Sequence, residues 1–219
     1  MSATTYNCLN PQERAEGLAA AAEALRSGEN VVLPTDTVYG IGADAFNPAA
    51  VDKLLATKRR GPDMPVPVLV GSWTTIQGLV REFSDTAATL VEAFWPGGLS
   101  IVVPEAPSLP WNLGDTRGTV LLRMPNQPLA IELLREVGPM AVSSANISGH
   151  APAVKIHEAR QQFGAAVPVY LDGGEAEVGQ PSTIIDISRG RPVILRAGAV
   201  PAERIADVFG VDEESLRRN

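Results

Sequence analysis

Val31-Val32-Leu33-Pro34-Thr35-Asp36-Thr37-Val38-Tyr39-Gly40-Ile41-Gly42-Ala43-Asp44, followed by Asn47-Pro48 and a segment ending in Lys58-Arg59-Arg60-Gly61, carries the pattern from which the fold is read. Val31 to Leu33 is a short apolar strand stopped by Pro34. Thr35 and Thr37 alternate with other side chains, so an extended segment would set both hydroxyls on one face. Gly40 and Gly42 allow close approach of a neighbouring backbone. Asn47-Pro48 reads as a cap followed by proline at the first helical position, and Val51, Leu54 and Leu55 form a helical stripe reaching Lys58. Only three of the chain's 18 Lys and Arg residues precede Lys58, so Lys58-Arg59-Arg60 is a candidate anion site. Basic residues also suit the last turn of a helix, and Gly61 with Pro62 is an ordinary stop, so spacing alone favours a charged helix end.

Outward from this stretch, Asn10-Pro11-Gln12-Glu13 has the layout of a capping box, with Leu18, Ala22 and Leu25 behind it and Gly28 as the stop. Val66 to Val70 reads as a strand, and Pro67 inside it points to a sheet edge or an irregular position. Ser72 and Ser84 read as helix caps, and Trp95-Pro96-Gly97-Gly98 as a turn into a strand from Leu99 to Val103. Thr119 to Arg123 is a strand whose arginine needs a structural carboxylate or a bound anion. A helix from Leu129 to Val137 precedes a strand from Met140 to Val142, which runs into the polar loop Ser143-Ser144-Ala145-Asn146-Ile147-Ser148-Gly149. Val154 to Phe163 is helical with His157 on its surface, and Val167 to Leu171 is a strand. Thr183 to Ile187 and Pro192 to Leu195 flank Ser188-Arg189-Gly190-Arg191 as a hairpin. Pro201 opens a last helix, and the charged end from Asp212 is expected to fray. Strands and helices alternate early and strands crowd late, which predicts an α/β fold with a twisted mixed sheet and flanking helices. The expected division is an N-terminal extension over 1–10, one catalytic domain over 11–208 and a short charged tail over 209–219.

Composition narrows the function classes. A net charge of -7 argues against a broad nucleic-acid-binding face, though not against a local basic cavity. No apolar run approaches the roughly 18 residues of a membrane span, and residues 1–10 lack a signal-peptide layout. A single cysteine, Cys8, fits a reducing cytosol, so a cytoplasmic location is expected. Two histidines and one cysteine leave too few ligands for a zinc site. There is no phosphate-binding G-x-x-x-x-G-K-[ST] loop, no G-x-G-x-x-G turn and no G-x-S-x-G elbow. What remains is hydroxyls, arginines and one lysine at strand ends and in loops. That inventory suits binding of polyanions and small zwitterions by positioning and electrostatics.

Eight segments in order carry a resemblance. Pro34-Thr35-Asp36-Thr37-Val38-Tyr39-Gly40-Ile41-Gly42, Lys58-x-Arg60, Phe94-Trp95-Pro96-Gly97, Arg123-Met124-Pro125, Ser144-Ala145-Asn146-x-Ser148-Gly149, Asp172-Gly173-Gly174, Ser182-Thr183-Ile184-Ile185-Asp186 and Ile194-Leu195-Arg196 together are similar to the YrdC family of L-threonylcarbamoyladenylate synthases, over about residues 12–200. The resemblance implies the short, single-domain form and a YrdC-like fold around a large basic concave cavity. It implies a nucleotidyltransferase that joins L-threonine, bicarbonate and ATP, with Mg2+, into threonylcarbamoyl-AMP and pyrophosphate. A downstream transferase complex would use the product to modify tRNAs reading ANN codons, and there is room for a weak tRNA contact. Carried over by motif, Lys58, Arg60, Thr119, Ser144, Asn146 and Arg196 would form the ATP site, with Lys58, Arg60, Ser144 and Asn146 catalytic. Thr35, Tyr39, Arg123, Ser182 and Thr183 would hold threonine, with Arg123 at its carboxylate. The chain departs from the family pattern at Gly61, Met64, Leu69 and Ser143, where proline, asparagine or lysine, histidine and proline are usual. Two other readings are a non-catalytic double-stranded-RNA or tRNA-binding module and a paralogue that adenylates another carbamoyl donor.

Overall fold

The structure, a computed structural model, describes residues 3–61 and 63–217, so Pro62 of the predicted Gly-Pro turn lies outside the described residues. In chain order the elements are β1 (Thr4–Asn7), α1 (Pro11–Arg26), β2 (Val31–Leu33), β3 (Gly40–Asp44), α2 (Pro48–Thr57), β4 (Val68–Leu69), α3 (Asp85–Phe94), β5 (Leu99–Pro104), β6 (Thr119–Arg123), α4 (Pro128–Val137), β7 (Met140–Ser144), α5 (Ile156–Phe163), β8 (Val169–Asp172), β9 (Thr183–Asp186), β10 (Val193–Arg196) and α6 (Ala202–Phe209). The strands form one mixed sheet in the order β1-β8-β2-β3-β7-β4-β6-β5-β9-β10. The predicted α/β class with a mixed sheet and flanking helices is what the chain adopts.

Alternation along the strands divides the core. Val31 and Leu33 of β2, with Met140 and Val142 of β7, pack with Leu18 and Leu25 of α1 and Leu129 and Leu133 of α4. Val32 and Ala141 turn to the opposite face, against Leu54 of α2, Leu90 and Phe94 of α3, Phe163 of α5 and Ile205 of α6. Strands buried on both faces read as continuous apolar runs, which is why β2 was legible from three residues.

Several local expectations are corrected. Asn10 caps α1 by accepting from the N–H groups of Gln12 and Glu13, but the Glu13 carboxylate accepts from Asn7 rather than from the cap residue. Thr35 to Thr37 is a turn, not a strand: the Thr35 hydroxyl accepts from the N–H groups of Thr37 and Val38 and donates to the Val38 carbonyl at 2.6 Å. β4 lies inside the sheet between β7 and β6, not at an edge. Pro67 is tolerated because it precedes the two paired residues and contributes only its carbonyl, to Val142 N–H at 2.8 Å. Ser72 caps a 3-10 segment over Trp73–Gly78 rather than an α-helix. Ser143 and Ser144 belong to β7 rather than to the loop after it. The C-terminal segment folds into a 3-10 turn over Glu213–Leu216 with Leu216 buried.

Candidate active site

The turn at Thr35–Thr37, the arm after α2, the end of β7 and the β9–β10 hairpin converge on one cleft of about 220 Å³. Its lining gathers seven of the predicted residues: Thr35, Tyr39, Arg60, Arg123, Ser144, Ser182 and Arg196. Among the described residues no carboxylate lines it, and Leu69, Leu121, Val142 and Ile184 supply apolar wall.

Arg123, at the end of β6, is buried and held by three partners. It donates to the Gly97 carbonyl at 2.9 Å, to Thr37 Oγ1 at 2.8 Å and to Asp36 Oδ1 at 2.5 Å. Asp36 also accepts from the Asn126 N–H at 3.0 Å, so one carboxylate ties the Thr-rich turn to the end of β6. Burial pushes the Arg123 guanidinium below its usual pKa, and Asp36 opposes that. The partner required of a buried strand-end arginine is therefore a structural carboxylate, which leaves the outer edge of the guanidinium for a ligand.

Arg60 follows the C-terminus of α2. Its Nη1 donates to Ser143 Oγ at 3.0 Å and its Nη2 to the Pro65 carbonyl at 3.1 Å. Burial lowers its pKa; Asp63 counteracts this and Arg196 adds to it. Arg196 reaches the cleft from β10, where a register irregularity between Ile194 and Arg196 marks a bulge. It donates from Nε and Nη2 to the Ser182 carbonyl at 3.1 and 2.6 Å, and from Nη2 to Ser182 Oγ at 3.1 Å. Ser182 Oγ lies 2.8 Å from Ser100 Oγ, a second buried hydroxyl of the lining.

Four predicted residues stand outside the lining. The Lys58 ammonium is buried and donates to the carbonyls of Ser144 and Asn146, the latter at 2.6 Å, while the Lys58 carbonyl accepts from Ser148 N–H at 2.9 Å. It clamps the turn after β7 instead of facing open space. Burial, reinforced by the Arg60 charge, lowers its pKa to about 8. Asn146 turns its amide onto the carbonyls of Ile147 and His150 at 3.0 and 2.9 Å, so Ser144 and Asn146 do not present a hydroxyl and an amide side by side. Thr119 starts β6, about 13 Å along the strand from Arg123, and donates to the Thr116 carbonyl. Thr183 points to the face opposite Ser182 and exchanges hydrogen bonds with Val200 at 2.6 and 3.0 Å. Tyr39 is among the lining residues, but its side chain is buried in the core and its hydroxyl is committed to the Gly174 carbonyl at 2.5 Å and the Gly173 N–H at 3.1 Å.

Thr37, Ser100 and Ser143 line the cleft and Asp36 stands behind it on Arg123, and none of the four was assigned a ligand-binding role from the sequence. The usable signal was a polar residue inside an apolar strand, as Ser100 is between Leu99 and Ile101, each buried.

The family model for Sua5, YciO and YrdC proteins, described as "Telomere recombination", matches residues 23–198. The chain belongs to the Sua5/YciO/YrdC family. A Mycobacterium tuberculosis (H37Rv) relative named "Putative threonylcarbamoyl-AMP synthase" is 59% identical over 212 residues, covering 97% of this YrdC-family chain and 98% of the relative. A "Threonylcarbamoyl-AMP synthase" from Pyrococcus abyssi is 36% identical over 205 residues, with 92% of this chain and 60% of that one covered. The crystal structure of P. abyssi Sua5 complexed with L-threonine superposes with a TM-score of 0.86 at 35% identity, covering 91% of this chain and 58% of that chain.

Proposed function

We propose that this cleft joins L-threonine, bicarbonate and ATP into threonylcarbamoyl-AMP, releasing pyrophosphate. The observation that carries the reading is the lining itself: three arginines from three separate elements and no carboxylate, beside buried hydroxyls and an apolar wall. Such a lining calls for an anion at one end and an amino acid at the other. The 59% identity to a relative named for this activity supports it.

In this reading the threonine amine adds to bicarbonate with loss of water, giving a carbamate. A carbamate oxygen then attacks the α-phosphorus of ATP, the bond to the bridging oxygen breaks, and pyrophosphate leaves. Arg60 and Arg196 hold phosphate oxygens and offset the charge that grows on the leaving group. The outer edge of Arg123 takes the threonine carboxylate, and the Ser100–Ser182 pair supplies a hydroxyl donor beside it. Lys58 acts through the Ser144–Asn146 turn, fixing the backbone against which the nucleotide lies. Among the described residues no cluster of three or more Asp, Glu, His or Cys side chains is placed to hold a metal, and the cleft lining offers no carboxylate. Mg2+ would therefore arrive with ATP, on phosphate oxygens and water rather than on a protein-built site.

The product would feed a transferase acting on tRNAs that read ANN codons. The acidic net charge of -7 weighs against a stand-alone RNA-binding role. Among the described residues no helix is long and apolar enough to cross a membrane. The test is pyrophosphate release from ATP with threonine or bicarbonate omitted in turn. The reading requires both; release that ignores threonine would remove it.

A further inference from the structure

We infer that Ser143 positions the Arg60 guanidinium for phosphate, an inference that rests on the synthase reading of the cleft. Ser143 sits in β7, which is hydrogen bonded on both sides: Ser143 is in register with Ile41 of β3, and the adjacent Val142 N–H donates to the Pro67 carbonyl at 2.8 Å. Its hydroxyl is therefore carried by a strand that cannot shift without breaking the sheet. Arg60 is carried by the end of α2, where its N–H donates to the Leu55 carbonyl at 2.9 Å, and its long side chain extends beyond that last anchor. Arg59 before it has φ of 53°, a left-handed conformation that non-glycine residues adopt at a cost, and Gly61 after it has no side chain to restrain the arm.

At the far end of that arm the guanidinium has two anchors, Ser143 Oγ at 3.0 Å and the Pro65 carbonyl at 3.1 Å. Pro65 lies five residues away in the segment between α2 and β4, outside the strands, so Ser143 is the anchor that belongs to the sheet. Among the described residues Nε is buried with no partner. The charges that act on Arg60 and its neighbours include Lys58 and Arg196, which repel it, and Asp63, which attracts it. Without Ser143 the guanidinium keeps only the Pro65 carbonyl as an anchor. With Ser143 one edge is fixed, and the remaining N–H groups face an anion in a set orientation, on which two-pronged recognition depends.

The Ser143 hydroxyl is engaged by Arg60, so a positioning role has a selective signature. ATP binding is measured by calorimetry, without turnover, alongside the KM values for ATP and threonine. S143A should weaken ATP binding about 10- to 20-fold, the low end of the scale of one hydrogen bond to a charged group. The threonine KM and the melting temperature should stay near their original values. S143T, which keeps a hydroxyl, should recover most of the affinity, and S143A should add nothing in an R60A background. ATP binding by S143A equal to that of the unaltered chain overturns the inference and leaves the synthase reading intact. Arg60-dependent ATP binding without threonine-dependent pyrophosphate release overturns the synthase reading and leaves the inference intact. Failure of the unaltered chain to bind ATP overturns both.

Discussion

Replacing Asp36 with alanine should be one of the most damaging single changes to this fold, though Asp36 performs no chemistry. Its carboxylate is the counter-charge of Arg123, and the two side chains are only 6% and 7% exposed. Burial already disfavours the charged guanidinium, and Asp36 is the group that opposes this most. Removing one member of a buried pair leaves an uncompensated charge and costs about 3–5 kcal/mol. The Asn126 N–H loses its acceptor as well. For a domain of this size that corresponds to a fall in melting temperature of roughly 6–20 °C. Urea unfolding followed by tryptophan fluorescence would measure it. Asp36→Asn keeps an oxygen for Asn126 and should cost less than Asp36→Ala. The double variant Asp36→Ala with Arg123→Met removes both charges and should regain more than half of the loss. An Asp36→Ala cost below about 1 kcal/mol, or a double variant as unstable as the two single losses added, would refute the uncompensated-charge account.

Three further outcomes follow from the cleft. Arg60→Ala should lower kcat/KM for ATP roughly 10- to 100-fold while unfolding normally, and Arg60→Lys should rescue little, because a lysine cannot reproduce the two-pronged contact; near-native rates in both would mean that the phosphates lie elsewhere. Tyr39→Phe should cost about 1–2 kcal/mol by freeing the Gly173 N–H and the Gly174 carbonyl, with the threonine KM within a few-fold of the original; unchanged stability with a large rise in that KM would place the hydroxyl on substrate. Lys58, with a pKa of about 8 against an ordinary 10.5, should make kcat/KM for ATP fall above about pH 8, and Lys58→Arg should abolish that fall. The stability effect has the opposite sign: the unfolded chain binds the extra proton between pH 8 and 10.5, so this group's contribution to stability rises with pH across that window.

Helix starts were readable because caps are local: Asn10, Asn47 and Ser84 each announce a helix within three residues, and each side chain accepts the N–H bonds expected of it. The errors came where a distant partner decides. Pro67 argues locally for an edge or an irregular position, and β7, more than 70 residues on, rules out the edge by pairing with β4. Alternating threonines suggest a strand, yet the Thr35 hydroxyl satisfies the next N–H groups itself and makes a turn. The same division holds in the site. Arg60, Arg123, Ser182 and Arg196 came from ordered motifs, whereas Ser100 meets Ser182 across 82 residues and Ser143 meets Arg60 across 83. Pairings of that range leave no periodic trace along the chain. Lys58 was expected to face phosphate, but its ammonium is buried on the carbonyls of Ser144 and Asn146, partners 86 and 88 residues away that no local pattern announces.

The measurement that bears most directly on the synthase reading is mass analysis of the nucleotide products formed with ATP, L-threonine and 13C-labelled bicarbonate. The account predicts threonylcarbamoyl-AMP carrying one labelled carbon, equimolar with pyrophosphate, and its loss in Arg60→Ala. Pyrophosphate with AMP alone, or a nucleotide adduct that lacks the label, would contradict it.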